Sequence, residues 1–136
     1  MSKILQKSHS MERINTSHAP AAIGPYSQGI DSGHGLVFVS GQLPIDPATG
    51  AFPEGGVQAQ TRQSLTNAKA ILEAAGLSLA HVVKTTVFLA DMNDFGAMNE
   101  VYAQFFTEPF PARSAVAVKT LPKNALVEVE LIAAKG

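Results

Sequence analysis

The sequence predicts an α+β domain: one mixed β-sheet with two helices packed on one face. Three observations predict it. First, the 136 residues are 46% hydrophobic and 15% charged, enough apolar side chain for one ordinary core and too short a chain for two. Second, apolar residues alternate with period two in several short runs and recur with helical spacing in two longer ones. Third, the runs follow the order β-β-α-β-α-β-β, with a further short strand near Glu12 to Ile14. Each helix then joins two strands, and right-handed crossovers are expected.

The elements follow in chain order. Residues 1–10 carry Lys3, Lys7 and His9 around a two-residue apolar core, Ile4-Leu5. A secretory signal needs an apolar run of roughly 7 to 15 residues, so this is not one. The segment is expected to be a mobile extension, Met11 offers an alternative start, and residues 11–136 are expected to form the domain. Gly29 to Ser32 and Leu36 to Gln42 flank the turn-prone Ser32-Gly33-His34-Gly35 and read as a β-hairpin. Asp46-Pro47-Ala48-Thr49-Gly50 is a second turn. A helix is expected from Val57 to Ala75, with Leu65, Ala68, Ile71, Leu72 and Ala75 on one stripe and Gly76 as its left-handed cap. Val82 to Leu89, rich in β-branched residues, is a strand. A second helix is expected from Asp94 to Phe106, capped by Asn93 or Asp94, with Phe95, Met98, Tyr102 and Phe105 as its apolar face and Pro109 and Pro111 beyond its end. Ala112 to Val118 and Ala125 to Ala133 are the last strands.

Both faces of Val82 to Leu89 are largely apolar: Val82, Thr86 and Phe88 on one, Val83, Val87 and Leu89 on the other. Two helices on one face leave the second face needing a cover, and self-association supplies it.

Composition excludes several classes of function. Ten Lys+Arg against eleven Asp+Glu give a net charge of -1, which argues against a chain built to coat nucleic acid or anionic lipid. The absence of Cys rules out disulfide frameworks, thiolate nucleophiles and Cys-ligated zinc. No apolar run approaches the roughly 20 residues of a membrane span. With no export signal, the expected compartment is the cytoplasm. His9, His18, His34 and His81 show no metal-ligand spacing. Gly33-His34-Gly35 and Glu54-Gly55-Gly56 lack the Lys-Ser/Thr of a phosphate loop, and Ser40 lacks the G-x-S-x-G context of a nucleophile. Lys84 reads as a surface lysine.

Two charged residues depart from this plain pattern. Arg113 opens an otherwise apolar strand, and Glu128 sits among Leu126, Val127 and Val129. Either both are solvated or form a structural ion pair, or they build a small-anion site. In the second case the guanidinium grips a carboxylate and the glutamate positions or deprotonates a water. A hairpin near Pro122 would bring the two strands side by side; a subunit boundary would serve instead. Backbone N–H groups near Gly41 and Ala115 would complete such a cradle. Tyr26, in Gly24-Pro25-Tyr26-Ser27, either packs or lines a pocket.

Four segments in register resemble the RidA family of reactive-intermediate imine deaminases: Ala19 to Gln28 (A-P-A-A-I-G-P-Y-S-Q), Ser40-Gly41-Gln42, Pro111-Ala112-Arg113-Ser114, and Leu121-Pro122 through Val127-Glu128-Val129-Glu130. The resemblance runs from about Met11 to Ala134. It implies a chorismate-mutase-like fold, a homotrimer with clefts between subunits, and cofactor-independent hydrolysis of 2-imino acids such as 2-iminobutanoate and 2-iminopropanoate to 2-oxo acids and ammonia. It also implies that Arg113 binds the substrate carboxylate and Glu128 orients the attacking water. Tyr26 would close the cleft from a neighbouring subunit, Ser40, Gly41 and Ala115 would contact the ligand through backbone, and Asn99 would support them. Ala115 stands where many members have Cys, which leaves the backbone contact but removes any role for a thiol. The segment Thr107-Glu108-Pro109-Phe110 is shorter than in some members. Two other readings accompany this one: a 2-oxo-acid-binding or chaperone-like module without turnover, and an endoribonuclease or translation inhibitor. Neutral charge, no Trp and two Tyr weigh against the last, which needs a basic groove with stacking aromatics.

Overall fold

The computed structural model describes residues 10–136, so all but Ser10 of the expected extension lies outside it. Six strands form one sheet: β1 (Glu12–Ile14), β2 (Gly29–Asp31), β3 (Leu36–Gln42), β4 (Val82–Leu89), β5 (Ala112–Ala117) and β6 (Val127–Ala134). Two helices, α1 (Gly56–Ala74) and α2 (Phe95–Tyr102), separate β3 from β4 and β4 from β5. The spatial order is β1-β2-β3-β6-β4-β5. β5 pairs parallel with β4, and every other pairing is antiparallel.

This order replaces the hairpin near Pro122 as a way of joining Arg113 to Glu128. Strands β5 and β6 are not neighbours, because β4 lies between them. The reason is in β4 itself. A strand apolar on both faces is stabilised at the centre of a sheet, whereas β5 alternates half-buried and exposed residues as an edge strand does. Both crossovers, β3–α1–β4 and β4–α2–β5, step the same way along the sheet, so one handedness puts both helices on the same face.

The core lies between that face and the helices. Val37 and Val39 of β3, Val87 and Leu89 of β4, and Val127, Val129 and Leu131 of β6 pack against Leu65, Ile71 and Leu72 of α1 and Met98 and Tyr102 of α2. Complete burial of each such aliphatic side chain is worth about 1.5–3 kcal/mol. A register shift between Val82 and Lys84 corrects the expected facing of β4: Val82 joins Thr85, Val87 and Leu89 in the interior, while Val83 turns outward. Helix α1 matches its expected span within a residue, and Gly76 takes the left-handed conformation at its end. Helix α2 is shorter than expected. Asp94 holds the expected N-cap position of α2 but makes no side-chain cap bond; Asp91 caps the turn before it, its carboxylate accepting from the Asn93 N–H. Beyond Tyr102, Phe106 rather than Phe105 is buried, stacked on Tyr102 at 4.7 Å.

Buried polar side chains of α1 fasten the loops. Asn67 Nδ2 donates to the carbonyls of Leu43 (3.2 Å) and Ile45 (2.8 Å), and Gln60 Oε1 accepts from the Leu126 N–H (2.8 Å). Among the described residues no helix covers the opposite face. Phe38 (42% exposed) and Val116 (46% exposed) lie on it with Ile30, Phe88 and Ile132. Among the described residues no helix is long and apolar enough to cross a membrane.

Candidate active site

The polar residues singled out by sequence fall into two groups. The first is built by β5 and α2. Arg113 is level with Thr85 of β4, and Thr85 is fully buried, so Arg113 leaves the sheet on the helix side. There α2 presents Phe95, Asn99 and Tyr102, spaced i, i+4, i+7 on one face. Arg113 Nη1 donates to Asn99 Oδ1 at 2.6 Å. The guanidinium carbon lies 4.6 Å from the centre of the Tyr102 ring and 5.4 Å from that of Phe95. Ala115, two residues along, faces the same way and packs on the core. Among the described residues the one salt bridge is Lys135–Asp31, so Arg113 has no carboxylate partner. A half-buried guanidinium held by a neutral amide and two aromatic faces keeps its capacity to take an anion.

The second group is built by β3, β6 and the loop before β2. Glu128 is level with Phe88 and therefore lies on the helix-free face. Its carboxylate rests against Gly41, where any Cβ would collide with Glu128 Oε2. Gly41 occupies an irregularity in the β3–β6 pairing between Val39 and Gln42. Burial holds the Glu128 carboxyl above the usual carboxylate range, and the like charge of Glu130 adds to this. Ser40 is tied to the preceding loop twice: its N–H donates to the Gln28 carbonyl (2.9 Å) and its Oγ to the Ser27 carbonyl (2.6 Å).

The same loop carries Tyr26, 52% exposed, whose N–H donates to the Gly24 carbonyl (2.8 Å). Gln28 organises it from below. Its Nε2 donates to the carbonyls of Thr16 and Pro20, and its Oε1 accepts from the Thr16 N–H. Tyr26 and Gly41 line one open cavity of about 590 Å³ with Pro20, Ile23, Leu43 and Ile45.

Within one chain the two groups do not meet. Arg113, Asn99 and Ala115 stand on the helix side at the β5 edge; Ser40, Gly41 and Glu128 stand on the other side, with Tyr26 reached through the cavity. Strand β4 separates β5 from β6. No group of three or more His, Asp or Glu able to hold a metal ion occurs among the described residues.

The family described as Endoribonuclease L-PSP matches residues 16–135. A protein of Salmonella typhimurium named 2-iminobutanoate/2-iminopropanoate deaminase is 57% identical over 90% of this chain and 96% of its own length. A RutC family protein of Pyrococcus horikoshii is 59% identical over 91% of this chain and 98% of its own. This chain belongs to the RidA (YjgF) family. The crystal structure of Escherichia coli TdcF with bound serine, a solved fold of the same kind, has a TM-score of 0.86 at 51% identity, covering 92% of this chain and 99% of that one.

The RidA fold places two sets of residues that sequence reasoning left out. Gln28 lies in the A-P-A-A-I-G-P-Y-S-Q segment, but a glutamine's buried bonds to loop carbonyls leave no periodic trace in sequence. The helical spacing of Phe95 and Tyr102 signals packing alone. An asparagine at position 99 within their stripe was the available sign that this part of α2 faces something polar.

Proposed function

We propose that this chain hydrolyses reactive 2-imino acids, with 2-iminobutanoate and 2-iminopropanoate as substrates, to 2-oxo acids and ammonia. The observation that carries this is Arg113: a half-buried guanidinium with no carboxylate partner among the described residues, braced by Asn99. The deaminase names of relatives at 54–57% identity support it. So does serine, a small amino acid, bound to the structurally similar TdcF.

In this mechanism Arg113 takes the substrate carboxylate in a two-pronged hydrogen bond. Glu128, whose proton affinity is raised by burial, orients a water and accepts its proton as the oxygen bonds to the imine carbon. The C=N electron pair moves to nitrogen, which takes up a proton. Glu128 then takes the hydroxyl proton of the resulting carbinolamine while the amine nitrogen gains one, so the C–N bond breaks with neutral ammonia as the leaving group and the 2-oxo acid is released. An imine beside a carboxylate is already electrophilic, so orientation and proton transfer suffice, and the reaction as drawn uses no cofactor. Backbone at Ser40, Gly41 and Ala115 lines the ligand, and Tyr26 closes over it.

The proposed assembly is a homotrimer of one-domain subunits, in the cytoplasm, each cleft taking Arg113, Asn99 and Ala115 from one copy and Tyr26, Ser40, Gly41 and Glu128 from the next. Two observations support this: the opposite facing of Arg113 and Glu128, and the uncovered apolar face bearing Phe38 and Val116.

The test is ammonia release from 2-iminopropanoate generated in situ by a dehydratase. The native chain is expected to accelerate imine decay saturably, and Arg113→Ala to abolish this while fold and oligomer persist. A folded Arg113→Ala variant with full activity would remove Arg113 from its role. Binding of 2-oxobutanoate without turnover would favour a binding module instead. RNA cleavage that survives both Arg113→Ala and extensive repurification would favour a nuclease, the activity in the family description.

A further inference from the structure

Arg113 is held by more than its amide partner. The ring of Tyr102 lies beneath the guanidinium, and the side chain is 6% exposed. The Tyr102 hydroxyl shares a 2.7 Å hydrogen bond with Thr85 Oγ1, which is completely buried. The ring also packs against Phe106, tilted by 36°. A tyrosine–threonine pair here is an odd way to fill a core. Each hydroxyl costs free energy to bury and recovers it only through the other, whereas a leucine–valine pair would pack with no such penalty. What the polar pair adds is a ring fixed in position and tilt under the one cation of this site.

We propose that Tyr102 is a positioning residue for the substrate carboxylate. Anchored by Thr85 and flanked by Phe95, its ring sets the plane of the Arg113 guanidinium before substrate arrives. Asn99 occupies Nη1, so Nη2 and Nε, which have no described partner, form the edge aimed at the ligand. An arginine side chain gives up considerable rotamer freedom when it binds. Stacking on two rings removes that freedom in the free protein, so it no longer opposes carboxylate capture. The inference rests on the function proposed above and deepens it, assigning carboxylate affinity to a residue that touches no substrate.

The expected signature is a split between binding and chemistry, because Tyr102 acts on the carboxylate and not on the imine carbon. In Tyr102→Leu, KM for 2-iminopropanoate generated in situ should rise about 3- to 30-fold, the range of a partly desolvated cation–π contact. The value of kcat should stay within about 3-fold of native. The Kd for 2-oxobutanoate, measured by calorimetry, should rise in step with KM. Tyr102→Phe keeps the ring but loses its tie to Thr85, and its KM and Kd should fall between those of the native chain and of Tyr102→Leu. In an Arg113→Ala background, Tyr102→Leu should add no further loss of 2-oxobutanoate binding. Should Tyr102→Leu fail to fold, the half-buried Phe95→Leu gives the same reading with a smaller rise.

A folded Tyr102→Leu, or in its place a folded Phe95→Leu, with native KM and Kd overturns the inference alone. So does loss confined to kcat, the mark of a merely damaged active fraction. A native chain that neither turns over 2-iminopropanoate nor binds 2-oxobutanoate overturns the proposed function and the positioning role together.

Discussion

The carboxyl of Glu128 sits where two effects push its proton affinity the same way. Burial against Gly41 disfavours the charged form, and Glu130, two residues along the same strand face, repels it. A base must be unprotonated to accept a proton, so the acidic limb of the kcat/KM profile should lie above the usual glutamate range. Glu130→Gln removes the smaller of the two causes and should move that limb toward lower pH. An unmoved limb in that variant would detach it from Glu128. Glu128→Gln should lower kcat by roughly 10²- to 10⁴-fold, the worth of a positioned proton-transfer group. The same shift has a consequence for stability. A carboxyl whose folded pKa is raised binds its proton more tightly in the fold. Its contribution to stability is therefore full below the unfolded pKa and fades as pH climbs through the raised folded value. Above that raised value the ionised, half-buried Glu128 opposes folding. Glu128→Gln should thus melt at or above the native temperature while losing activity, and a clear drop in Tm would contradict the cause assigned to the shift.

Strand β3 supplies the backbone against which that carboxylate rests, and Gly41 is the element's point of closest approach. A methyl at position 41 meets the end of a flexible side chain rather than main chain, so Glu128 can swing aside. Gly41→Ala is accordingly expected to keep the fold and a near-native Tm, yet to lose activity about as far as Glu128→Gln. Thermal melting and ammonia release on the one sample check this, and joint loss of both would mean the glycine serves folding instead. How far such elements could be read from sequence varied with the kind of signal. Both helices, the hairpin β2–β3, and strands β4 and β6 follow from periodicity and turn residues, which are local. The place of β5 does not. Sequence neighbours tend to pair, and nothing in Leu121 to Asn124 announces that the chain passes over β4 before β6 begins. The sign was in β4, whose two apolar faces suit a central strand. The facing of Val82 was missed for a similar reason, since a bulge reverses alternation without any residue type that marks it. Of the candidate site, the motif residues are proposed from the resemblance. The brace of Gln28 beneath the Tyr26 loop and the Thr85–Tyr102 pair depend on contacts between distant segments, which no spacing along the chain encodes.

At the scale of the molecule, the sheet separates the two groups of polar residues, and its helix-free face offers a surface on which another copy can rest. A hollow of about 290 Å³ on that face, between Ser27, Ile30, Phe38, Ser40, Glu130 and Ile132, lies beside the Glu128 group. If neighbouring copies complete each other's clefts, two inactive variants carry complementary defects. Arg113→Ala spoils one half of each cleft and Glu128→Gln the other. After unfolding and refolding a 1:1 mixture, a cleft is intact when its Arg113 donor and its Glu128 donor are both native there. Each condition holds for one subunit in two, so roughly a quarter of native activity should return, in any ring of copies that share sites this way. Either variant refolded alone should stay near its own residual rate. Light scattering after size exclusion should give one oligomeric mass, three times that of a subunit for the proposed trimer, for the mixture and for both parents. A mixture no more active than the mean of its parents, at that same mass, would place each catalytic set within a single chain. The opposite facing of Arg113 and Glu128 across β4 argues against that outcome.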